Sequence, residues 1–395
     1  MKFDNAYLSL RHIWSSPFVR WQGSLADVSS IDLAVAVTDA ALTRADMDRS
    51  TIGQLVLGTT IPQPNSFYGA PWIAARLGMQ GISGPHVAQA CATSVSCLVS
   101  AAMATELDSA MTSLVVAADR TSNGPLLVFP KSQSAGGAPD TESFVLQSFA
   151  ADPWTGEAMI ATAEGVAKDG AMSRRDIDDL TLLRYTQYQS SLANDRAFQR
   201  QWMQPVSIRK GRSQLVVEAD EGIHAYSAEG LASLNPVRPD GTTTFGSQTH
   251  PADGAAGAIV TNAATARGLA GGDGVVQILS AGYARAEKGR MPKAATMAAQ
   301  RAVANAGLSF EQMKVVTSHN PFAVNDLWFA QQTGYPLERM NPYGCSLIFG
   351  HPQGPTGMRS IVELAFALRE QGGGIGLFTG CAAGDTGAAI VISVE

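Results

Sequence analysis

The chain has 395 residues, which corresponds to roughly two or three domains of ordinary size; 45 % of the residues are hydrophobic and 16 % are charged. Such a composition predicts a large buried core and excludes a mainly disordered protein. The net charge is −6 and there is no long basic run, so nucleic acid is not an expected partner.

The sequence does not indicate a membrane protein or a secreted one. No stretch approaches the roughly 18 apolar residues that a membrane helix needs, and the start, MKFDNAYLSLRHIWSS, does not resemble a secretory signal. Four cysteines are too few for a disulfide scaffold. The expected compartment is therefore the reducing cytoplasm, where a free thiolate can react.

Helical and strand patterns alternate along the first 120 residues. Amphipathic periodicity predicts a helix over 30–42. The patterns that follow predict the strand IGQLVLG, the helix FYGAPWIAARLG, the strand HVAQA, a helix over 92–107 and a buried strand over 113–120. This order is typical of an α/β protein with a mixed, largely buried sheet.

The middle of the chain differs, and the α/β alternation returns after it. Residues 121 to about 250 contain the Pro/Gly/Ser-rich loop SNGPLLVFPKSQSAGGAPDT and the polar helix SRRDIDDLTLLRYTQYQSSLAN, which we interpret as an insertion that covers a site. From Asp253 onwards the patterns predict the strand GAAGAIVT, the helix MPKAATMAAQRAVANAG, the strand MKVVTSH, the helices VNDLWFAQQTG and TGMRSIVELAFALREQ, and the strands GIGLFTGCA and GAAIVISV. We therefore divide the chain into 1–120, 121–250 and 251–395, with the two outer parts as a duplicated fold.

Four short segments hold the reactive side chains: QACATS with Cys91, SHNPFA with His319, FGHPQGPTG with His351, and TGCAAGDTG with Cys381. Loops at strand ends are where sites usually lie in α/β sheets. A cysteine nucleophile needs a nearby histidine or a helix N-terminus to lower its pKa, and Cys91 opens a predicted helix. A second thiol and a further histidine suit carbon–carbon bond chemistry on a thioester.

These four segments, in this order, resemble the thiolase family over nearly the whole chain. NPYGCSLIFGHPQGPTGMR resembles the family signature Asn-x-x-Gly…Gly-His-Pro-x-Gly-x-x-Gly-x-Arg, and MIATAEGVAK resembles the helix that closes the loop domain. The resemblance implies a thiolase-like duplicated α/β fold. Two mixed sheets of five-stranded type carry helices in layers, and a loop domain is inserted in the first half.

The resemblance also implies a role for each reactive residue. Cys91 would be the nucleophile that becomes acylated, His351 the histidine that activates it, and Cys381 the acid/base for the α-carbon. Backbone N–H groups near Cys91 and Ala383 would form one oxyanion hole. His319 stands where many thiolases have asparagine, as in the sterol-carrier-type thiolases, and would hold a water or bind the thioester oxygen in the second oxyanion hole.

Coenzyme A is implied as a substrate, with no permanently bound cofactor and no metal. His224, Thr249 and Phe322 are the expected contacts to coenzyme A, and a homodimer or a dimer of dimers is the expected assembly. SHNPFAVND and GCAAGDTG further resemble the thiolase subunit that cleaves benzoylsuccinyl-CoA in anaerobic toluene breakdown. Members of that group pair with a small zinc-ribbon/OB-fold subunit.

Several alternatives stay open at this point. The usual Cys-x-Gly-Gly-Gly is replaced by Cys381-Ala-Ala-Gly-Asp, which puts the loop geometry in doubt. Cys91 is also compatible with a small core residue, as Cys97 and Cys345 are. The run RKGR at 209–212 fits a solvated turn or a site for a coenzyme A phosphate. The alternative functions are a ketoacyl-synthase-like decarboxylating enzyme, which uses one cysteine and two histidines, and a non-catalytic scaffold subunit.

Overall fold

The structure is a computed structural model that describes residues 1–131, 133 and 135–395. Positions 132 and 134, in the predicted Pro/Gly/Ser-rich loop, lie outside the described residues. The strands of the described part are β1 (Tyr7–Ser15), β2 (Val19–Arg20), β3 (Gln54–Gly58), β4 (His86–Val87), β5 (Ser113–Arg120), β6 (Leu126–Phe129), β7 (Asp140–Ser143), β8 (Val206–Lys210), β9 (Ser213–Val217), β10 (Ala252–Thr261), β11 (Val275–Arg285), β12 (Val315–His319), β13 (Gly374–Ala382) and β14 (Thr386–Val394).

The helices connect and cover these strands. Those of the described residues are α1 (Ser30–Arg44), α2 (Gly69–Arg76), α3 (Thr93–Leu107), α4 (Phe144–Ala150), α5 (Met159–Asp169), α6 (Arg174–Ser191), α7 (Ala193–Arg200), α8 (Ala228–Ala232), α9 (Ala263–Ala270), α10 (Met291–Ala306), α11 (Val324–Thr333), α12 (Ser346–Phe349) and α13 (Thr356–Glu370). Short 3₁₀ turns lie at Arg49–Thr51, Ala135–Gly137, Phe245–Ser247, Phe310–Gln312 and Leu337–Arg339.

The central sheet is mixed, with the strand order β12-β13-β14-β11-β1-β10-β5-β3-β4 and β2 paired beside β10. The pairs β12/β13, β3/β5 and β3/β4 are parallel, and the other pairs along this order are antiparallel. The predicted thiolase-like α/β class is confirmed. The two halves of the sheet are continuous, however, because β1 pairs with β10 on one side and with β11 on the other.

Helices cover both faces of this sheet. One face carries α3 and α13, whose buried side chains form a core with β10 and β14. On the opposite face, α1 and α2 pack on β3 and β5, and α10 packs on β13 and β14. Strand β10 is buried along its whole length because it is covered from both sides.

Helix α3 modifies one expectation from the sequence. The window Ala90–Leu107 is long and apolar enough to cross a membrane by length and composition, although no such stretch was expected. More than half of this window is buried inside the protein, and its side chains contribute to the core beneath the sheet. A core helix of a globular protein has the same composition, because both of its sides face apolar neighbours.

Two buried ion pairs connect the middle stretch of the chain to the C-terminal half. Arg184 of α6 donates to Asp326 at 2.8 Å. The Arg359 guanidinium donates to both carboxylate oxygens of Asp220, at 2.6 and 2.8 Å, in a bidentate ion pair. All four side chains are buried. Each pair therefore holds a segment of residues 121–250 against the helices that position the candidate site.

Candidate active site

The four predicted segments converge at one cavity of about 610 Å³. Cys91, His351 and Cys381 all line it, and His319 lies directly behind His351. A cavity of this size is typical of sites for small molecules and cofactors. The residues that sequence analysis selected from three distant parts of the chain therefore share one site.

Cys91 lies in a tight turn between β4 and α3. The predicted strand HVAQA pairs only over His86–Val87, because the chain turns immediately afterwards: Ala90 has a φ of 46°, and the Thr93 hydroxyl donates to the Ala90 carbonyl at 2.7 Å. A non-glycine residue in this conformation is strained, and such strain is common at functional sites. The turn exposes the Cys91 sulfur to the cavity, whereas Cys97 is buried in the core, as predicted.

His351 contacts Cys91 directly, because its Nε2 lies 3.0 Å from the Cys91 sulfur. The other ring nitrogen, Nδ1, lies 2.7 Å from the Thr356 hydroxyl, which fixes the orientation of the ring. Gly350 precedes it with a φ of 90°, and a Cβ at that position would lie 2.6 Å from the His250 ring. Only glycine therefore allows the close approach that brings His351 to the thiol.

The Cys91–His351 pair is neutral at rest. Burial raises the pKa of the Cys91 thiol to about 12, although the N–H groups of Ala383 and Cys91 partly oppose this. Burial, with a further contribution from His319, holds the pKa of His351 well below its usual range. The sequence led us to expect a lowered thiol pKa, and this expectation is wrong for the free protein because desolvation of the half-buried sulfur raises the pKa instead. A thiolate forms at such a site only if a base takes the proton, and His351 Nε2 lies within hydrogen-bond distance of the sulfur.

His319 ends β12 and is buried, with its Nδ1 2.9 Å from the Ser346 hydroxyl. Its ring stacks on His351 with centroids 4.0 Å apart. The other nitrogen, Nε2, is buried and has no hydrogen-bond partner within the described residues. Buried polar atoms are rarely left unpaired, so this nitrogen fits a ligand or a water. Burial also lowers the pKa of His319 to about 3, so the free ring is neutral.

The donor atoms of Cys91, His319 and His351 lie within 4.8 Å of one another, which is close enough to raise the question of a metal ion. A metal bound to an imidazole nitrogen lies about 2 Å away, close to the plane of that ring. The two histidine rings are stacked with only 24° between their planes. One ion cannot lie in both planes at that distance, so the geometry does not favour a metal here.

Cys381 lines the cavity from β13 and is buried. The turn after it uses one glycine, Gly384, with a φ of 76°. The Asp385 carboxylate fixes the turn by accepting hydrogen bonds from the N–H groups of Gly289 and Arg290, at 2.9 and 3.0 Å. The Ala383 N–H then faces the Cys91 sulfur. Although the loop after Cys381 contains few glycines, it still presents the N–H group expected of an oxyanion hole.

The residues expected to contact coenzyme A are not all at the cavity. Thr249 and Phe322 line it. His224 is exposed and outside the lining, with its ring 6.4 Å from that of His250. The run at 209–212 comprises the last two residues of β8 and the two-residue turn that leads to β9. These placements leave the coenzyme contacts as predictions.

Two residues at the site were not singled out by sequence analysis. Gln353 lines the cavity, and its Oε1 accepts a hydrogen bond from the Cys91 thiol at 3.2 Å. It lies two residues after His351 and has a φ of 66°. Asp119, at the end of β5, accepts from the N–H groups of Thr60 and Gly354 at 2.8 Å each, and burial raises its pKa to about 7. Their contacts depend on the folded chain, and only the closeness of Gln353 to His351 was visible beforehand.

Two models of known protein-family domains match the sequence. The model of the thiolase N-terminal domain matches residues 13–264, and that of the thiolase C-terminal domain matches residues 274–394. The chain belongs to the thiolase family. The expectations of a thiolase-family acyltransferase that uses coenzyme A as a substrate are confirmed.

Individual thiolases resemble the chain over nearly its full length. It is 28 % identical to acetyl-CoA acetyltransferase of Escherichia coli (strain K12), over 94 % of this chain and 95 % of that protein. It is 27 % identical to a 3-ketoacyl-CoA thiolase of Erwinia tasmaniensis (strain DSM 17950 / CFBP 7177 / CIP 109463 / NCPPB 4357 / Et1/99), over 98 % and 97 %.

Solved thiolase structures share the fold. The acetyl-CoA acetyltransferase of Bacillus anthracis superimposes with a TM-score of 0.91 at 23 % identity, covering 100 % of both chains. Human mitochondrial 3-ketoacyl-CoA thiolase in complex with CoA superimposes with a TM-score of 0.90 at 22 % identity, covering 100 % of this chain and 99 % of that one. At these identities the likeness establishes the fold alone.

Proposed function

We propose that the protein is a thiolase that cleaves a 3-oxoacyl-CoA with coenzyme A, or carries out the reverse Claisen condensation, through an acyl-Cys91 intermediate. The observation that carries this proposal is that two thiols of different environments, Cys91 and Cys381, line one cavity, with His351 bonded to the first. Thiolysis needs a nucleophile and a separate acid/base at the α-carbon.

The chemistry follows from these positions. The Cys91 sulfur attacks the 3-keto carbon while its proton passes to His351 Nε2, and the N–H groups of Cys91 and Ala383 stabilise the oxyanion. The C2–C3 bond then breaks, and the leaving enolate takes a proton from Cys381. His351 then passes its proton to the Cys381 thiolate, which restores the neutral imidazole. Coenzyme A attacks the thioester as His351 accepts its thiol proton, and His351 returns that proton to the Cys91 sulfur as the shortened or transferred acyl group leaves as acyl-CoA. The unpaired Nε2 of His319 supports a role in binding the thioester oxygen.

A ketoacyl-synthase-like decarboxylation is the second candidate. The stacked pair of His319 and His351 beside Cys91 fits an enzyme that uses one cysteine and two histidines. Such an enzyme has no need of a second thiol in the cavity, so Cys381 favours thiolysis. Malonyl-CoA decarboxylation by the Cys381→Ser variant would support the second candidate.

For the acyl group we propose an aromatic or other bulky neutral group. Phe144, Phe149 and Ile61 are among the apolar lining residues, and no lysine or arginine lines the cavity in the described part of the chain. A substrate such as benzoylsuccinyl-CoA carries a further carboxylate, for which these walls offer no cation. The decisive panel therefore compares acetoacetyl-CoA, benzoylacetyl-CoA and benzoylsuccinyl-CoA, each with coenzyme A, by mass detection of the products.

We infer that the protein forms a homodimer or a dimer of dimers through β4. This strand ends the sheet, with β3 as its neighbour, and Phe67 beside it is 96 % exposed. Unpaired edge strands and exposed aromatic side chains favour association. Sedimentation of the wild type and of Phe67→Asp tests this assembly, since the variant should shift towards monomer.

A small zinc-ribbon/OB-fold partner subunit is proposed from the resemblance to the benzoylsuccinyl-CoA group. The exposed apolar side chains of β6, Leu126, Val128 and Phe129, support an additional partner surface. The isolated chain should then have little activity, and full-rate thiolysis by the chain alone would remove the need for a partner. The four free cysteines support our placing of the protein in the reducing cytoplasm.

We propose that residues 121–250 form the covering part between the thiolase halves at 1–120 and 251–395, and that Thr249, Phe322 and His224 contact coenzyme A. Phe144, Phe149 and Met159 of the covering part line the cavity, which supports the first proposal. Alanine variants of Thr249 and His224 should raise the KM for coenzyme A, and should raise in the same proportion the concentration of acyl-CoA needed to acylate Cys91.

A further inference from the structure

Asn325 contacts the second thiol and has no role in the chemistry described so far. It lies in the first turn of α11 and is 3 % exposed, and its Nδ2 donates to the Cys381 sulfur at 3.2 Å. Its own N–H bonds to the Phe322 carbonyl at 3.1 Å, so the backbone that carries the amide is fixed. The contact joins a helix start to a strand that is 56 residues away in the chain.

The surroundings of Cys381 otherwise disfavour its charged form. Burial raises the pKa of this thiol, and the acidic groups Cys91 and Asp326 act in the same direction. Asp326 is itself paired with the buried Arg184, which limits its effect. The Asn325 amide acts the other way, because a hydrogen bond donated to a thiolate stabilises the charge. A base buried in this way depends on such a donor.

The Asn325 amide can also form a hydrogen bond with the protonated thiol of Cys381. Its Oδ1 is buried and has no hydrogen-bond partner among the described residues. No bond at that atom therefore opposes a half-turn of the amide, which would present Oδ1 to the S–H proton. One side chain offers a donor to the thiolate and an acceptor to the thiol, which are the two states that an acid/base passes through.

We propose that Asn325 is a positioning residue for the carbon-acid step, in which its amide holds the Cys381 sulfur at the α-carbon in both protonation states. The inference rests on the proposed thiolase function and deepens it. In the step, the Cys381 thiolate takes a proton from C2 of acetyl-CoA, which leaves the enolate and the neutral thiol. Return of a solvent deuteron from the thiol to C2 gives labelled acetyl-CoA.

The experiment measures the reaction of each thiol independently. Wild type, Asn325→Leu and Asn325→Asp are incubated with acetyl-CoA in deuterated water, and Cys91 acylation and C2 exchange are measured by mass spectrometry from pH 6 to 10. Both variants keep the size of the side chain, but leucine removes the hydrogen bond and aspartate replaces the donor by a negative charge. Asn325→Ser, which keeps a short donor, is the conservative variant and serves if the leucine variant does not fold.

The expected result is normal acylation of Cys91 with exchange lowered about 10- to 100-fold in Asn325→Leu, the scale of a hydrogen bond to a charged group. The rise of exchange with pH should move to higher pH in that variant, further in Asn325→Asp, and partly back in Asn325→Ser. Unchanged exchange in the folded variants, or an equal loss of acylation and exchange, would overturn the inference alone. A wild-type protein that shows neither reaction would overturn the thiolase proposal, and this inference with it.

Discussion

The imidazole of His351 stacks on that of His319 with ring centroids 4.0 Å apart and 24° between the ring planes. Two positive charges at this separation inside a buried site would repel strongly. When His351 takes the proton of Cys91, His319 must therefore stay neutral. We therefore predict that His319 acts by hydrogen bonding rather than by proton transfer, which leads to the first two predictions.

Acylation of Cys91 should not show the usual titration of a histidine. Because burial holds the pKa of His351 well below its usual range, the base stays neutral as the pH falls through 6.5. The rate of Cys91 acylation by a simple acyl-CoA, measured by intact mass, should not drop by half near pH 6.5. His351→Asn should slow it on the order of 10²–10⁴-fold. A wild-type midpoint near pH 6.5 would contradict a neutral, buried base.

His319 should make the fold less stable in acid. Its pKa is about 3 in the folded protein and about 6.5 when unfolded. Below pH 6.5 the unfolded chain therefore binds a proton that the folded chain does not, and stability falls with pH until about pH 3. Between pH 7 and 5 the wild type should lose about 2 kcal/mol more than His319→Asn in urea unfolding. Equal losses would show that His319 is not neutral in the folded protein.

Cys381→Ser should separate the two halves of the reaction. Acylation of Cys91 needs no carbon acid, so the variant should still gain the mass of an acyl group. Thiolysis and α-proton exchange should fall on the order of 10²–10⁴-fold, because a serine hydroxyl is a far weaker acid than a thiol, whose unperturbed pKa is about 8.5, and so neither gives its proton nor forms the anionic base. Cys91→Ser is the control, since it should lose acylation itself. Near-wild-type thiolysis by Cys381→Ser would favour the decarboxylating alternative.

Gln353 should restrain the resting thiol. Its Oε1 accepts the Cys91 S–H at 3.2 Å and so competes with His351 for the same proton. Gln353→Met keeps the length without the acceptor, and acylation should become about 3- to 10-fold faster, the scale of one neutral hydrogen bond. Gln353→Glu should be slower than wild type, because a carboxylate disfavours the thiolate. Gln248→Met changes another glutamine of the lining and should leave the rate near that of wild type.

Asp220→Asn should be strongly destabilising. The Arg359 guanidinium and the Asp220 carboxylate are both fully buried, and the variant removes the charge that faces two of the guanidinium nitrogens, leaving only the contact of Arg359 Nε with Glu363 at 3.2 Å. Removing one member of a buried pair costs about 3–5 kcal/mol. Arg267→Gln, which breaks the exposed pair of Arg267 and Glu395, should change the free energy of unfolding by less than about 1 kcal/mol. Similar losses in the two variants would contradict this assignment.

Local sequence signals predicted most of the helices and strands whose ends are marked by turn or capping residues. The strand expected over 113–120 is β5, and the helix expected to end at Gly307 is α10, whose last turn is closed by that glycine at a φ of 71°. Strands β1 and β11 were not recognised. The burial of β1 on both faces, with His12 inside it and one exposed residue, removes the alternation that marks a strand.

The features of the site likewise fall into those that local sequence predicts and those that depend on the fold. Cys91, His319, His351 and Cys381 were visible because each stands in a short characteristic segment. The direction of the thiol pKa was not, since it depends on how completely the fold encloses the sulfur. Gln353 and Asn325 act on partners that are 262 and 56 residues away, and no local pattern contains such a contact.

The position of β1 in the sheet affects how the chain reaches its native state. Tyr7 pairs with Thr261 and with Gln277, so β1 is synthesised about 250 residues before its two neighbours in the sheet. At about 5–20 residues per second, an apolar strand stays without its native partners for roughly ten to fifty seconds. During that time the two halves of the sheet lack the strand that joins them, and the unpaired apolar strand can be bound by molecular chaperones. Long-range pairing of this kind also slows folding in vitro. In a circular permutant that carries β1 at its C-terminus, this strand would be synthesised after both of its partners.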